Sequence, residues 1–168
     1  MNSSKKKLIL IELNEINFDI AKKYLKDFEL KNFNIICNDL STSRSEREYS
    51  KLEPWIQWVS VHTGLSADNH KVFRLGESKS LQHEQIFEKI EKKGFDVGVL
   101  FSMNAINKTI KSKYFVPDPW TDTDASDSFW CKNLHKSIRQ AVNDNSEGKI
   151  EFKSYLIILS ACIKFIKI

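Results

Sequence analysis

Glu53-Pro54-Trp55-Ile56-Gln57-Trp58-Val59-Ser60-Val61-His62-Thr63-Gly64, running on through His70 to Leu75-Gly76, is the stretch whose reading decides the fold. A proline ahead of an aromatic and apolar run, a Thr-Gly stop and a polar loop ending at a second glycine describe a loop that turns into a short helix. Pro54 suits the first helical turn, where its missing N–H costs nothing, and Glu53 before it sits at the positive end of the helix dipole. A helix start beside other polar groups is a ready anion site. A phosphate or sulfate ester is the kind of ligand it accepts.

Outward from this stretch, strand and helix patterns alternate. Leu8 to Leu13 is a short run of branched apolar residues, as a strand buried on both faces should be. Asn14 to Asn17 supplies a turn, and Asn17 or Asn14 can cap the following helix, which carries Ile20, Ala21, Tyr24, Leu25 and Phe28 on one face. Asn34 to Cys37 reads as a second strand. Leu81 to Lys93 is an amphipathic helix with Ile86, Phe87 and Ile90 inward and Glu84, Glu88 and Lys89 outward, stopped by Gly94. Phe95 to Phe101 is a third strand. The rhythm predicts an α/β fold, a partial parallel sheet flanked by helices and joined by right-handed crossovers. Ligands of such sheets gather at the carboxyl ends of the strands, which places Asn14 and the Ser102-Met103-Asn104 loop near one rim, where Glu53 can join them. The polar stretch from Asn38 to Lys51 reads as a solvated loop, also suited to cover a site.

Beyond Phe101 the sequence turns irregular. Pro117 and Pro119 flank Asp118, so Tyr114 to Asp124 is read as a loop. Its acidic residues Asp118, Asp122 and Asp124 lack the alternating oxygens, central glycine and late glutamate of a calcium loop. It leads into a helix from Ser128 to Val142, with Asp127 or Ser126 as cap. Asn143 to Gly148 is a turn and Glu151 to Ile168 the last helix. The division expected is an α/β part over residues 1–125 and a helical segment over 126–168.

Composition bounds the partners. The chain has 168 residues, 41% hydrophobic and 29% charged, with a net charge of +4 spread over scattered lysines, so a nucleic-acid partner is not indicated. Lys5-Lys6-Lys7 reads as a solubilising tail. Cys37, Cys131 and Cys162 fit neither a zinc spacing nor a disulfide framework and read as buried reduced thiols. The apolar run after the lysines stops at Glu12, too soon for an export signal, which predicts a cytoplasmic protein. Tyr155 to Ile163 is strongly apolar but well short of the roughly 20 residues a bilayer demands, so no membrane span is expected.

Two segments carry a resemblance. Trp58, Ser60, Thr63-Gly64 and His70 look like the nucleophile-bearing loop and helix of the alkaline phosphatase superfamily, in its type I phosphodiesterase and sulfatase-like branch. Leu8-Ile9-Leu10-Ile11-Glu12-Leu13-Asn14-Glu15 resembles that branch's first core strand and metal-ligand turn. The resemblance runs from the start of the chain to Trp120. It implies an alkaline-phosphatase-like fold and hydrolysis or transfer at phosphorus or sulfur on a small anionic ester, with divalent metals, zinc or manganese, polarising the ester and neutralising the leaving oxygen.

The chain departs from that pattern at three places. The position of the family's first aspartate ligand falls on Asn14, whose neutral amide oxygen is a weaker partner for zinc than a carboxylate. The nucleophile's slot holds Pro54, which leaves Glu53 beside it as the candidate active carboxylate, with Ser60 and Asn104 as candidate substrate-binding residues. The family's later Asp-His pair and further histidine have no counterpart after Trp120. The expectation is therefore the front portion of a metal-dependent phosphodiesterase or sulfatase-type hydrolase, inactive alone. Its alternative is a non-catalytic α/β module holding an anionic ligand such as a sugar phosphate. An unrelated nucleotide-binding domain is disfavoured because no glycine precedes Gly64 to build a phosphate loop. The open edge of so small a sheet invites self-association.

Overall fold

Gly98–Leu100 (β1) pairs in parallel with Tyr114–Val116 (β2), Val99 lying opposite Phe115. The ladder runs on at both ends, where Lys113 N–H donates to the Val97 carbonyl and Phe101 N–H to that of Val116, each at 2.8 Å. Gly98 leaves room for the Tyr114 ring in this register: a Cβ there would meet the ring at 2.4 Å and force it to shift. The computed structural model describes residues 7–28, 30–38, 41, 46–126, 128–144 and 151–166. These form seven α-helices and the two-stranded sheet, a mixed α/β architecture, and the chain divides into two compact units, Met1–Ser45 and Glu46–Ile168.

The first unit is a pair of helices, Phe18–Phe28 (α1) and Lys31–Asn38 (α2). Asn17 caps α1 as expected, its Oδ1 accepting from the N–H groups of Asp19 and Ile20, both at 3.0 Å. Phe18 stacks on Phe33 with ring centroids 6.3 Å apart. Three expectations fail in this unit. Asn34 to Cys37 is helix, not strand, because the segment's backbone closes locally, Asn34 N–H bonding the Leu30 carbonyl at 2.9 Å, and two isoleucines are too short a β-branched run to override that. Ile20, Tyr24 and Phe28 lie exposed rather than inward. Leu8 to Leu13 is in no helix or strand, and its apolar side chains are exposed, up to 82% at Ile9, because a parallel-type strand is stable only inside a ladder.

The second unit holds Pro54–Thr63 (α3), Ala67–His70 (α4), Ile86–Lys92 (α5), Phe129–Asn143 (α6) and Phe152–Ile166 (α7), with single 3₁₀ turns at Tyr49–Lys51 and Glu77–Ser80. One apolar cluster joins Phe87, Val97, Val99, Ala105 and Phe115, with Ile86 and Ile90 half-buried against it; another joins Val59, Val72, Leu81 and Ile106. Thus α5 covers the sheet with the face its periodicity predicts. It begins at Ile86 rather than Leu81 because Gln85 and Glu88 form a capping box there, the Glu88 carboxylate accepting the Gln85 N–H at 2.5 Å. Glu88, expected outward, is buried in consequence, and burial pushes its carboxyl up. Gly94 ends the helix with φ 83°.

Tyr114 to Val116, expected to be irregular, is a strand. Pro117 follows the last paired residue, where a proline ends a strand without breaking it. The observed sheet therefore has two strands where three were expected. α6 packs on β2 and α7 on α6. Ser128 precedes α6 at the cap position; Asp127, one of the caps proposed, lies outside the described residues, as do 145–150 in the expected turn. Cys37 is buried, Cys131 half-buried, and both are free thiols; the Cys162 side chain lies outside the described residues. Among the described residues no helix is long and apolar enough to cross a membrane.

Candidate functional site at the strand ends

Within the second unit, the segment quoted first folds as its sequence predicts. Pro54 occupies the first turn of α3, Glu53 is the N-cap with φ −61° and ψ 136°, and Gly64 closes the helix in the left-handed conformation at φ 75°. Ile56, Val59 and Thr63 turn into the core. Thr63 Oγ1 donates to the Val59 carbonyl at 2.7 Å and accepts the Leu65 N–H at 3.2 Å, so the Thr-Gly pair ends the helix through both its side chain and its backbone. Upstream, Lys51 bridges Glu48 at 2.6 Å and Asp68 at 2.9 Å. The Lys51 hydrogen bond holds both carboxyls below their usual range, and those to Glu48 and Asp68 push Lys51 up. The chain entering α3 is thereby tied to α4.

Asn104 joins this segment to the sheet. It sits four residues past the end of β1 with φ 55°, a conformation asparagine tolerates better than most, and it is 0% exposed. Its Nδ2 donates to the carbonyls of Trp55 at 2.9 Å and Arg74 at 3.1 Å, and its Oδ1 accepts the Gly76 N–H at 2.9 Å. Both amide hydrogens and the oxygen are thus committed to the fold. Gly76 is needed there for two reasons: its φ is 82°, and a Cβ would lie 3.0 Å from the Trp120 carbonyl oxygen.

Asp118, at the carboxyl end of β2, is the other anchor. It is 1% exposed, and its carboxylate accepts the N–H groups of Asn104 at 2.7 Å, Trp120 at 2.8 Å and Thr121 at 2.9 Å, and the Thr121 hydroxyl at 2.6 Å. Four donors satisfy a buried charge that would otherwise be costly. His135 of α6 bonds the Asp118 carbonyl through Nε2 at 3.1 Å, and burial holds this imidazole below its ordinary value. Asp118 was grouped with Asp122 and Asp124 in the sequence reading. Its distinguishing signal was Thr121 three residues on, the spacing at which an aspartate folds a turn back on itself. Asp122 instead pairs outside with Lys79 at 3.2 Å and Arg139 at 2.9 Å.

Two Ser–His contacts flank these anchors. Ser60 Oγ lies 3.0 Å from His70 Nε2, and the Val72 N–H donates to His70 Nδ1 at 3.1 Å. An accepting Nδ1 leaves the proton of the neutral ring on Nε2, so His70 donates to Ser60 rather than drawing its proton. Burial holds this ring below its ordinary value, with the positive potential of His83 adding to it. Ser102 Oγ and His62 Nε2 approach to 3.1 Å, both residues buried, and His62 also packs against Phe87 with centroids 5.2 Å apart. No local pattern in the sequence signals this second pair, whose partners lie 40 residues apart.

Of the four candidates, Glu53 is exposed at the α3 cap without a side-chain cap bond, Ser60 is paired with His70, and Asn104 is buried with its amide on the carbonyl of Trp55, two residues past Glu53. Asn14 lies exposed in a bend of the first unit. The chain matches no family model, no curated protein and no solved structure. Among the described residues no three His, Cys, Asp or Glu side chains converge as a metal ion would need. The zinc or manganese implied by the resemblance therefore has no ligand set in these residues.

Proposed function

We propose that the chain is the front portion of an alkaline-phosphatase-like, metal-dependent phosphodiesterase or sulfatase-type hydrolase domain, and that this portion turns over no ester by itself. One observation carries the reading. Asn104 ties Trp55, Arg74 and Gly76 to the carboxyl end of β1, so the segment that resembles the family's nucleophile-bearing loop and helix is held against the strand rim where α/β sheets take their ligands. Glu53 and the start of α3 stand at the edge of that rim. The inactivity follows from the chemistry of the groups present. The Ser60 hydroxyl faces a donating imidazole, the Asn104 amide is spent on backbone, and the Glu53 side chain makes no cap bond to the start of α3.

The test is hydrolysis of bis(4-nitrophenyl) phosphate and 4-nitrophenyl sulfate with zinc or manganese added. The expected rate equals the protein-free metal control, and turnover that disappears in Glu53→Gln would overturn the inactivity. Joining the chain to the Asp-His-bearing later half of a domain of that branch is expected to create turnover. A folded fusion that stays inert favours the second reading, a module that holds a phosphate-bearing ligand without reaction. What supports that reading is that Ser60 and Asn104 are bonded within the protein, so a ligand at the rim meets no group placed to react with it.

A further inference from the structure

The two helices of the first unit flank a cleft of about 600 Å³, a size common among small-molecule sites. Lys22 and Leu25 come from one row of α1, Leu30 precedes α2, and Lys31, Asn34 and Cys37 follow at helical spacing along α2. No carboxylate is among the described residues of this lining. Lys22 and Lys31 are exposed, and neither makes an ion pair or a side-chain hydrogen bond with a described residue. Cys37 is the buried member, 5% exposed and with a free thiol.

The place of Lys31 sharpens the charge argument. It opens α2, at the positive end of the helix dipole, and the first turn holds no acidic residue to offset it. The lysine is set against the dipole's preference, and the N–H groups of that turn add to the same positive potential. An anion resolves both. A cation is repelled by every charged group of the described lining, and inorganic phosphate leaves Leu25 and Leu30 unused. We infer that the cleft binds a small organic anion with a hydrocarbon body, of the medium-chain carboxylate class. Its charged end meets Lys22 and Lys31, with the Asn34 amide as a further donor, and its hydrocarbon covers Leu25 and Leu30 beside Cys37. The inference uses the first unit alone and stands independently of the function proposed above.

Alkylation of Cys37 by iodoacetamide, a neutral reagent, tests it on the full chain, with the rate read on the Cys37 peptide and octanoate as the probe. Octanoate is expected to slow the reaction saturably, by about tenfold when the cleft is filled, and to leave the rate at Cys131 in the second unit unchanged. Octylammonium, with the chain but the opposite charge, and inorganic phosphate, with charge but no chain, are expected to give no protection. Lys22→Gln combined with Lys31→Gln is expected to raise the octanoate concentration for half-protection about tenfold, measured against that variant's own rate without octanoate. Both lysines are exposed, and the wild-type arms keep the test decisive if the variant fails to fold. Octanoate without effect on Cys37, equal protection of Cys131, protection by octylammonium or phosphate, or a variant protected at the same octanoate concentration as wild type would each overturn the inference.

Discussion

The arm from Leu8 to Glu15 and the segment from Glu53 to Gly76 carry the two halves of one resemblance, yet they meet different ends in the molecule. The arm forms no helix or strand and is largely exposed, and among the described residues its expected ladder is missing. The second segment is held at Trp55, Arg74 and Gly76 by one asparagine, at Ser60 by His70, and at Asp68 by Lys51. Both stretches had patterns that fitted their predicted structure. What separates them is supply of partners: a helix closes its own hydrogen bonds, whereas a strand depends on a neighbour elsewhere in the chain.

The sharpest way to break the comparison is to remove Asp118. Asp118→Ala leaves the N–H groups of Asn104, Trp120 and Thr121 without their acceptor inside the protein, and we expect a loss of about 4 kcal/mol in urea unfolding. Ile9→Ala, in the exposed arm, is expected to change stability by less than about 0.5 kcal/mol at concentrations where the chain is monomeric. Equal losses at the two positions would show that the arm is packed in solution.

Asn104 comes next. Asn104→Ala removes three side-chain hydrogen bonds and puts a Cβ residue without local polar help at φ 55°, for an expected loss of about 3 kcal/mol. Asn104→Gly loses the same bonds but not the backbone conformation, so it should recover about 1 kcal/mol of that. Identical losses in the two variants would mean that the left-handed backbone costs nothing there.

Acid provides a smaller and broader perturbation of the second unit. His70 and His135 are both held below the ordinary imidazole value by burial, so the folded state binds fewer protons than the unfolded chain as pH falls through that value. Their contribution is present at neutral pH and lost on acidification. The urea midpoint should therefore fall between about pH 7.5 and about pH 5.5, and His135→Gln should flatten the decline by about half. Glu88 works in the opposite sense at lower pH, because its raised carboxyl keeps protons that the unfolded chain has released, and stability falls as pH rises through its titration. A midpoint unchanged over the imidazole range would show that both rings gain partners when charged.

How much of this was legible follows the same division. Pro54, the Thr63-Gly64 stop, the inward face of α5 and the Gly94 terminus were readable because each is a local rule with a side-chain or φ signature. The β1 strand was readable as a short apolar run between a glycine stop and a polar loop. The length of the sheet was not, since Leu8–Leu13 and Asn34–Cys37 have strand composition and nothing local says whether a ladder forms. Tyr114–Val116 was not legible because Pro117 adjoins it, while the ladder that makes it a strand comes from Gly98–Leu100, far off in sequence. At the candidate site, Ser60 was visible through the resemblance and Asn104 as a polar residue in the loop after a strand. Asp118 and the Ser102–His62 contact depend on approaches across 14 and 40 residues of chain, which no local pattern reports.

Glu53 is a loosely held point in the second segment, exposed like the arm, and it gives the smallest expected effect. Its backbone caps α3, its carbonyl accepting the Ile56 N–H at 2.9 Å and the Gln57 N–H at 3.0 Å, while its side chain makes no cap bond. Glutamate is too long to fold back as serine does, so its remaining contribution is a charge at the helix dipole, a few tenths of a kcal/mol in water. Glu53→Ser exchanges that for a hydroxyl able to accept from the first turn and should raise stability by about 0.5 kcal/mol. If the urea midpoint falls instead, the carboxylate has a partner in solution. Repeating the measurement with inorganic phosphate present then separates the two roles of this residue. A cap residue leaves the phosphate response unchanged, whereas a rim carboxylate repels the anion, so that its removal strengthens phosphate stabilisation.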